Sequence, residues 1–381
     1  MRRASHYARF VSLVVATILA LPLPYGAVTG LYLWTSPVLM INMALAQRAL
    51  VVLHVLAFAV LAAMFLRHRW YCLWLCPAGV LCDAASNSRT STVRLNRVPD
   101  FHKMLLIAGW VTALLGVPLL SMLDPLSIFH AFFDAFRKQP AGIIVVKLSG
   151  LSLIIAMNFM APHIWCRKLC PLGGLQDVAT SAKQFVAKKT VVKPPFQASR
   201  RFALGALGGV GLNLLVRQIA GTAPAAALRP PGALPGDNFK AVCLRCGNCG
   251  KACPTGIIRS SHDSSDMLGL LTPYVQFDTG YCLPECTLCG YVCPSGAIRR
   301  FTQSDKLRLV MGIVRIHVER CLLTEHKECD LCKSYCDYEA VAIRLSDTDL
   351  SAWPEIIEDR CVGCGACVVV CPVKVIDITP K

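Results

Sequence analysis

Hydrophobic and polar positions divide the chain into two unlike halves. Four long apolar stretches occupy its first part: Phe10 to Trp34, Ala49 to Leu66, Met104 to Leu123 and Ala141 to Ala161. Each is near the roughly 20 residues that cross a bilayer as a helix. The first is interrupted by Pro22 and Pro24, which predicts a kinked helix. Its basic start, Met1-Arg-Arg with Arg9, resembles a signal peptide, but the run is too long and lacks a small-residue cleavage site. Beyond residue 236 long apolar runs give way to short segments bounded by Cys, Gly and Pro, with strands expected at Val314–Val318 and Ile376–Thr379. The pattern predicts a membrane all-α part, a duplicated four-helix unit plus a fifth helix, followed by an α+β tandem bacterial ferredoxin-like part. Boundaries fall at 1–198, 199–236 and 237–381.

Composition agrees with a membrane half, because 55% of the 381 residues are hydrophobic and only 16% are charged, against about 25% charged in ordinary globular chains. The net charge of +16 raises nucleic acid as a partner. In the first half, however, Lys and Arg sit between the apolar runs, which is a topology signal, so no nucleic-acid partner is expected. Met1–Arg9, Arg67–Arg97 and Arg167–Arg201 hold most of the basic residues and are expected on the cytoplasmic side. The nearly uncharged segment Trp34 to Gln47 is expected as an outer loop. So is Asp124 to Pro140, whose Phe129, Phe132, Phe133 and Phe136 suit a short helix lying in the membrane interface.

Candidate chemistry is concentrated in the 21 cysteines. Four runs lie in the tail: Cys243, Cys246, Cys249 and Cys253; Cys282, Cys286, Cys289 and Cys293; Cys321, Cys329, Cys332 and Cys336; Cys361, Cys364, Cys367 and Cys371. The first and last have the bacterial [4Fe–4S] spacing, three cysteines three residues apart, a fourth four residues on, then proline. The second has one extra residue in its first gap. The third has a longer first loop, and Asp337 stands where proline is expected. Paired zinc-type cysteines or a disulfide set fit this spacing poorly. Sixteen thiols supply four ligands to each of four [4Fe–4S] clusters. In two-cluster ferredoxins the last cysteine of a run crosses to the other cluster. Applied to neighbouring runs, this predicts the sets Cys243/Cys246/Cys249/Cys293, Cys282/Cys286/Cys289/Cys253, Cys321/Cys329/Cys332/Cys371 and Cys361/Cys364/Cys367/Cys336. A nested pairing of the first run with the fourth is the alternative. The closing run is expected at one end of the four-cluster wire. About 70 residues per pair of clusters cannot build much apolar core, so the clusters are expected to hold the tail together.

The membrane half has a motif of its own, twice. Trp70-Tyr-Cys72-Leu-Trp-Leu-Cys76-Pro77-Ala-Gly79-Val-Leu81-Cys-Asp83 matches Trp165-Cys166-Arg-Lys-Leu-Cys170-Pro171-Leu-Gly173-Gly-Leu175-Gln-Asp177 in its Cys, Pro, Gly, Leu and Asp positions. A repeat of two-helix units in one orientation would bring Cys72, Cys76, Cys166 and Cys170 together at a reducing face. They could hold a further metal or iron–sulfur centre; capping of helices or thiol chemistry is the bland alternative. Cys82, opposite Gln176 in the repeat, is expected as a small core residue. His54 lies within a span, where a haem or quinone role competes with a core hydrogen bond. Asp124 and His130 are candidate proton acceptors for a quinol or simple caps. No c-type haem, nucleotide or flavin motif is present, so no nicotinamide site is expected.

Ser199-Arg200-Arg201-Phe202-Ala-Leu204 opens a glycine-rich apolar stretch and a Pro/Ala linker from Thr222 to Pro235. Paired arginines here resemble a twin-arginine export signal, with Ala203 where Phe is usual. Ala225 to Ala227 is a candidate cleavage site. The alternative is an interfacial helix with a cytoplasmic tail.

On the residues Cys72-x-x-x-Cys76-Pro77 and Cys166-x-x-x-Cys170-Pro171, the first half resembles NapH-type membrane ferredoxins, components of quinol dehydrogenases. The tail, with its paired arginines and four runs, is similar to NapG/MauM-type periplasmic ferredoxins. The resemblance implies a fusion of two proteins at the bacterial inner membrane. It also implies oxidation of the quinol pool, with quinone chemistry as the substrate side, and delivery of electrons to a periplasmic oxidoreductase or cytochrome. One departure is that NapH-type proteins carry cytoplasmic cluster runs of their own, and none precedes the join here. Whether the chain is itself a quinol dehydrogenase component or only a carrier stays open. A maturation factor that reduces a metal centre or disulfide of a partner is the alternative.

Overall fold

The computed structural model of the chain describes residues 2–23, 26–48, 54–88, 99–137, 139–186, 200–220, 227–278, 280–345 and 352–380. Ser199, Ala225 and Ala226, and most of the basic Lys183 to Lys193 stretch, lie outside them.

The first half is helical and duplicated. Its first unit runs through α1 (Arg2–Ala20), α2 (Pro37–Gln47), α3 (described from His54 to Leu66), α4 (Trp70–Trp74) and α5 (Pro77–Asn87). The second runs through α6 (Phe101–Leu114), α7 (Pro125–Asp134), α8 (Ala141–Met160), a single π-turn at Trp165–Leu169 and α9 (Pro171–Val186). Among the described residues only α8 is both long and apolar enough to cross a membrane; the other apolar helices are shorter.

Two expected helices are broken, and the sequence explains both breaks. α1 stops at Ala20, just before Pro22, because proline lacks the N–H and disfavours helical geometry in the residue before it. α6 stops at Leu114, not Leu123. Gly116 takes a left-handed φ of 84°, and Val117 N–H reaches Thr112 O at 2.9 Å, a Schellman termination.

The segments after these breaks correct two expectations: Trp34 to Gln47 is not a loop, and the short helix expected within Asp124 to Pro140 forms but is partly buried. Trp34 to Gln47 contains α2, whose Val38, Leu39, Met40 and Met43 are buried. α7 carries Phe129 buried, rather than lying flat on a surface, although Phe136 beyond it is exposed. Both helices begin in the same way. Ser36 and Asp124 are N-caps accepting from Leu39 N and Leu126 N, and each is followed by proline. Ser36 Oγ donates to Asp124 Oδ2 at 2.8 Å, so the two N-termini meet inside the helical half.

α10 (Arg200–Ala220) packs along α6 in parallel. A Cβ on Gly205 would lie 3.1 Å from Met104 O, and one on Gly209 3.0 Å from Ala108 O. The GxxxG spacing thus lets the two backbones touch. Arg217 donates to Leu115 O near the far end.

The tail contains α11 (Gly236–Val242), α12 (Asn248–Ala252), β1 (Ile258–Ser260), β2 (Pro273–Val275), α13 (Leu288–Tyr291), α14 (Gln303–Lys306), β3 (Gly312–Ile316), α15 (Leu331–Ser334), β4 (Val341–Leu345), β5 (Ala352–Ile356), α16 (Ala366–Val370) and β6 (Ile376–Pro380). Three antiparallel pairs form: β1 with β2, β3 with β6, and β4 with β5. In β3–β6, Val314 faces Ile378, close to the expected strands. A distal cluster packs Val314, Val341, Val375 and Ile376 around Cys321, Cys332, Cys367 and Cys371.

Candidate metal centres and the interface between them

Within the tail, each run folds as a loop and a one-turn helix. Gly247 and Gly365, at φ 75° and 84°, stand at the N-caps of α12 and α16 and turn the chain so that the cysteines beside them face one point. Backbone amides aim at the sulfurs: Ile298 N–H donates to Cys293 Sγ at 3.4 Å and Ala340 N–H to Cys336 Sγ at 3.3 Å.

The neighbours of each thiol define four groups. Cys243, Cys246 and Cys249 lie within electrostatic reach of Cys293. Cys282 and Cys289 lie within reach of Cys286 and Cys253, and Cys361, Cys364 and Cys367 within reach of Cys336. Cys332 faces Cys321 and Cys329, and Cys371 packs in the same cluster. Cys293, Cys253 and Cys336 therefore each meet the run adjacent to their own, while Cys371 shares one buried cluster with Cys321, Cys332 and Cys367.

Burial pushes the thiols up, Cys246 and Cys367 to about 12 and Cys332 and Cys364 to about 11, with neighbouring thiols adding to it. Thiolates clustered in this way need a cation among them, so the residues fit an iron–sulfur cluster that carries positive iron. Among the described residues no group of three or more His, Cys, Asp or Glu converges tightly enough for a single metal ion. A cube of iron and sulfur is wider than an ion, and these wider groups suit it.

The groups form a path whose order differs from chain order. Cys249 lies near Cys289, linking the first group to the second. Cys282 N–H donates to Cys364 O at 2.9 Å, linking the second to the group of the fourth run. Cys367 lies near Cys332, linking that group to the third run. The closing run, expected at an end, is thus internal, and the third run's group is terminal.

The helical half gathers its own thiols at one end. Cys72, Cys76, Cys166 and Cys170 all lie within electrostatic reach of one another. Both motifs close with the same wide turn: Cys76 N–H to Tyr71 O at 3.0 Å and Cys170 N–H to Trp165 O at 2.8 Å. The shared glycines let each following helix approach. A Cβ on Gly79 would lie 2.9 Å from Cys72 O, and one on Gly173 2.6 Å from Cys166 O.

Ion pairs cross between the units. Arg69 Nη2 lies 2.7 Å from Asp177 Oδ2, and His163 Nδ1 3.2 Å from Asp83 Oδ1. Arg9 completes the Asp83 pair, and His102 Nε2, 3.2 Å from Asp177 Oδ2, completes the other. Arg69 and His163 both have positive φ, as repeat counterparts should. Cys82 is fully buried in the core, as expected of a small core residue, and its Sγ also accepts from Asn158 Nδ2 at 3.3 Å. It is in hydrogen-bond contact with Cys166, while its counterpart Gln176 donates to Cys72 Sγ at 2.9 Å.

The tail docks on the opposite end. α1 runs from Arg9, beside Asp83, to Ala20, whose carbonyl accepts from Lys251 Nζ at 3.1 Å. Asp134, fully buried, holds Arg137 at 2.7 Å and also pairs with Lys147, whose amine donates to Ser260 Oγ at 2.6 Å. Arg137 reaches Ile258 O at 3.0 Å. Burial would raise the Asp134 carboxyl, but Arg137 and Lys147 hold it below its usual value. A Cβ on Gly247 would collide with the Asp134 carboxylate, and one on Gly250 with the Arg137 guanidinium. Glycine is favoured at 247 by its φ of 75° as well as the close approach, whereas a side chain at 250 would require the Arg137 guanidinium to move.

The three weak candidates fall in different places. His54 is buried and hydrogen-bonded to the backbone of Pro294, which follows Cys293. His130 lies under the tail with Nδ1 3.2 Å from Asn248 Oδ1. Asp124 is enclosed as a cap, within reach of Cys76 and not at an outer surface. The docking residues Asp134, Lys147 and Lys251 were not singled out for a site role by sequence reasoning; a lysine at the seventh position of an apolar helix was the available signal.

Comparison with known proteins agrees with this chemistry. A family model described as a 4Fe-4S dicluster domain matches residues 242–297, and a 4Fe-4S binding domain matches 354–377. A second model called a 4Fe-4S binding domain matches 49–92, 144–191 and 289–310, the first two covering both Cys-x-x-x-Cys-Pro stretches. The chain is an iron–sulfur electron carrier of the ferredoxin type. It belongs to the NapG/MauM family of ferredoxin-type proteins. The methylamine utilization ferredoxin-type protein MauM of Methylorubrum extorquens is 34% identical over 167 residues, 42% of this chain and 74% of that protein. The ferredoxin-type protein NapG of Escherichia coli is 33% identical over 192 residues, 46% of this chain and 82% of its own length. NapG of Haemophilus influenzae is 33% identical over 210 residues, 49% and 72% respectively. No solved structure matches the chain.

Proposed function

We propose that the chain carries electrons from the quinol pool, through its helical half, to four [4Fe–4S] clusters in the tail and on to an oxidoreductase or cytochrome outside the membrane. The observation that carries this is the polarity of the molecule. The four-thiol motif lies at one end of the helices and the first tail group is docked at the other, with α10 running parallel to α6 between them. Embedding in the bilayer is supported by the large apolar side chains left exposed on these helices, among them Phe10, Val55, Leu66, Val145, Leu153 and Leu207. Helices too short to cross alone are completed by the pairs that begin at Ser36 and Asp124 inside the bundle.

Held this way, the tail projects on the side away from the basic Arg67–Arg69 and Arg167–Lys168 ends, the periplasmic side by the positive-inside rule. Cys72, Cys76, Cys166 and Cys170 would hold a fifth cluster. The helix N-termini capped by Cys76, Ser36 and Asp124 lie beside it and favour its negative charge. Electrons would leave from the third run's group, the far end of the path.

The test is anaerobic mixing of cluster-loaded chain in lipid nanodiscs with a quinol, followed by cluster bleaching and electron paramagnetic resonance. Clusters reduced by dithionite but by no quinol would defeat the proposal. A reporter fused after Lys381 that works only in the cytoplasm would reverse the topology.

The maturation alternative draws on the contact of Cys82 with Cys166, which suits dithiol chemistry. It requires a partner enzyme that needs this protein only while being assembled, whereas the electron-carrier function requires it at every turnover.

A further inference from the structure

Two cavities lie on either side of the first turn of α6, and their linings have opposite character. One, of about 590 Å³, is polar and is lined by Cys72, Cys166, His102, His163, Asp83 and Asp177 among others. The other, of about 490 Å³, lies between α6 and α10 and is lined by Phe101, Met104, Leu105, Leu169, Leu204 and Leu212. They share the first turn of α6 as a wall. Asp100, His102 and Lys103 line the polar cavity, and Phe101, Met104 and Leu105 line the apolar one. The same alternation recurs at Lys168 and Leu169.

We propose that these two cavities form one site for a prenylated quinol, with the ring in the polar cavity against Cys72 and Cys166 and the prenyl chain in the groove between α6 and α10. The proposal rests on the quinol function above and adds to it the location, on the face opposite the docked tail.

Three features favour a quinol over another amphiphile. Of the four Lys and Arg side chains that line the polar cavity, two are already committed, Arg69 to Asp177 at 2.7 Å and Lys168 to Asp100 at 2.6 Å, which leaves Lys103 and Arg167. His102 is 2% exposed, and its Nδ1 has no hydrogen-bond partner among the described residues. Finally, the cavity places His102 against Asp177 and His163 against Asp83, with His68 Nε2 3.8 Å from Asp177 Oδ1 as a further imidazole, and a quinol has two protons to give. Oxidation of the quinol breaks two O–H bonds. One proton passes to His102 Nδ1, whose Nε2 faces Asp177, and the other to His163 Nε2, whose Nδ1 faces Asp83. The two electrons leave singly for the iron–sulfur clusters, and quinone remains.

Gly208 gives a clean test because a Cβ there meets nothing within 4 Å, so a side chain enters the groove without displacing protein. The full chain, cluster-loaded and in nanodiscs, is compared with Gly208→Leu and His102→Gln using a decylated quinol and a tail-less quinol with the same ring. Gly208→Leu should raise KM for the decylated quinol about tenfold, as loss of apolar contacts does, and leave the tail-less one unchanged. His102→Gln should lower kcat for both by about a hundredfold, the usual worth of a placed proton acceptor, with iron content and the dithionite-reduced spectrum unaltered.

A photoreactive azido-decylquinone, which reads binding independently of turnover, should label peptides 101–108 and 204–212. Labelling elsewhere, equal kinetics for Gly208→Leu on both quinols, or a phospholipid retained in the site would overturn the proposal. If wild-type clusters are reduced by dithionite but by neither quinol, the quinol function itself fails, which is a different result.

Discussion

The two thiol-rich regions solve opposite problems. In the distal part of the tail, cysteines make up half of the buried cluster, with Val314, Val341, Val375 and Ile376 packed around Cys321, Cys332, Cys367 and Cys371. In the helical half the four motif cysteines sit beside a much larger apolar core, built from residues such as Leu33, Met43, Met64, Leu106 and Ile154 and continuing into the proximal tail at Phe239 and Ile258. A metal-dependent fold is thus joined to one that stands on side-chain packing. Loss of metal should act on one and spare the other.

The sharpest way to break this comparison is to strip the iron. Chelation under reducing conditions should abolish the tail's ordered circular dichroism and open it to protease while the helical signal persists. A cooperative melt of the metal-free tail would remove the distinction. Next in size is the ligand test. Cys249→Ser should cost about four irons and destabilise the tail, whereas a Cys72→Ser/Cys166→Ser pair should lose only the proposed membrane centre and leave the bundle folded. Iron and acid-labile sulfide per chain decide it, and an unchanged count in the pair would mean that those thiols hold no cluster.

The join between the regions should respond to one carboxylate. Asp134→Asn leaves Lys147 buried without its counter-charge, which costs about 3–5 kcal/mol. Proteolysis in the linker should accelerate accordingly. Wild-type rates in this variant would show that the buried pair does not hold the tail in place.

The smallest effect belongs to the clamp between the repeats. Burial would raise the Asp177 carboxyl, but His102 and Arg69 hold it well below the usual carboxylate range. Its stabilising contribution is therefore present above the unfolded carboxylate pKa and is lost as pH falls through the depressed folded value. Acid melts should show a destabilisation that Asp177→Asn removes, and Arg69→Ala should lessen it.

Much of this was legible in the sequence because its signals are local. Cysteine spacing is a statement about one loop and one turn, so the four runs and the paired Cys-x-x-x-Cys-Pro motifs could be read directly. The Gly79 and Gly173 matches reported a close approach that the structure contains. Ser36-Pro37 and Asp124-Pro125 were equally local signals of helix starts, but low charge around the first argued for a loop and the aromatic residues after the second for a helix lying in the interface. Their burial in the bundle overrode that. Cys82 could not be read from its repeat counterpart, since Gln176 and Cys82 meet the opposite unit's thiols through different atoms.

By itself the sequence determined which residues can ligate iron, that the first half is duplicated, and that its apolar stretches are helical over much of their length, because those follow from spacing and hydrophobic period. Tertiary structure alone decided the order of the groups along the path, with the fourth run inside and the third at the end. It also decided which helix ends meet at Asp124 and how Asp134, Lys147 and Lys251 join the halves. These are contacts between residues far apart in the chain. Their energy comes from pairing charges and hydrogen-bonding groups that burial has stripped of water, and no local pattern specifies which partners they find.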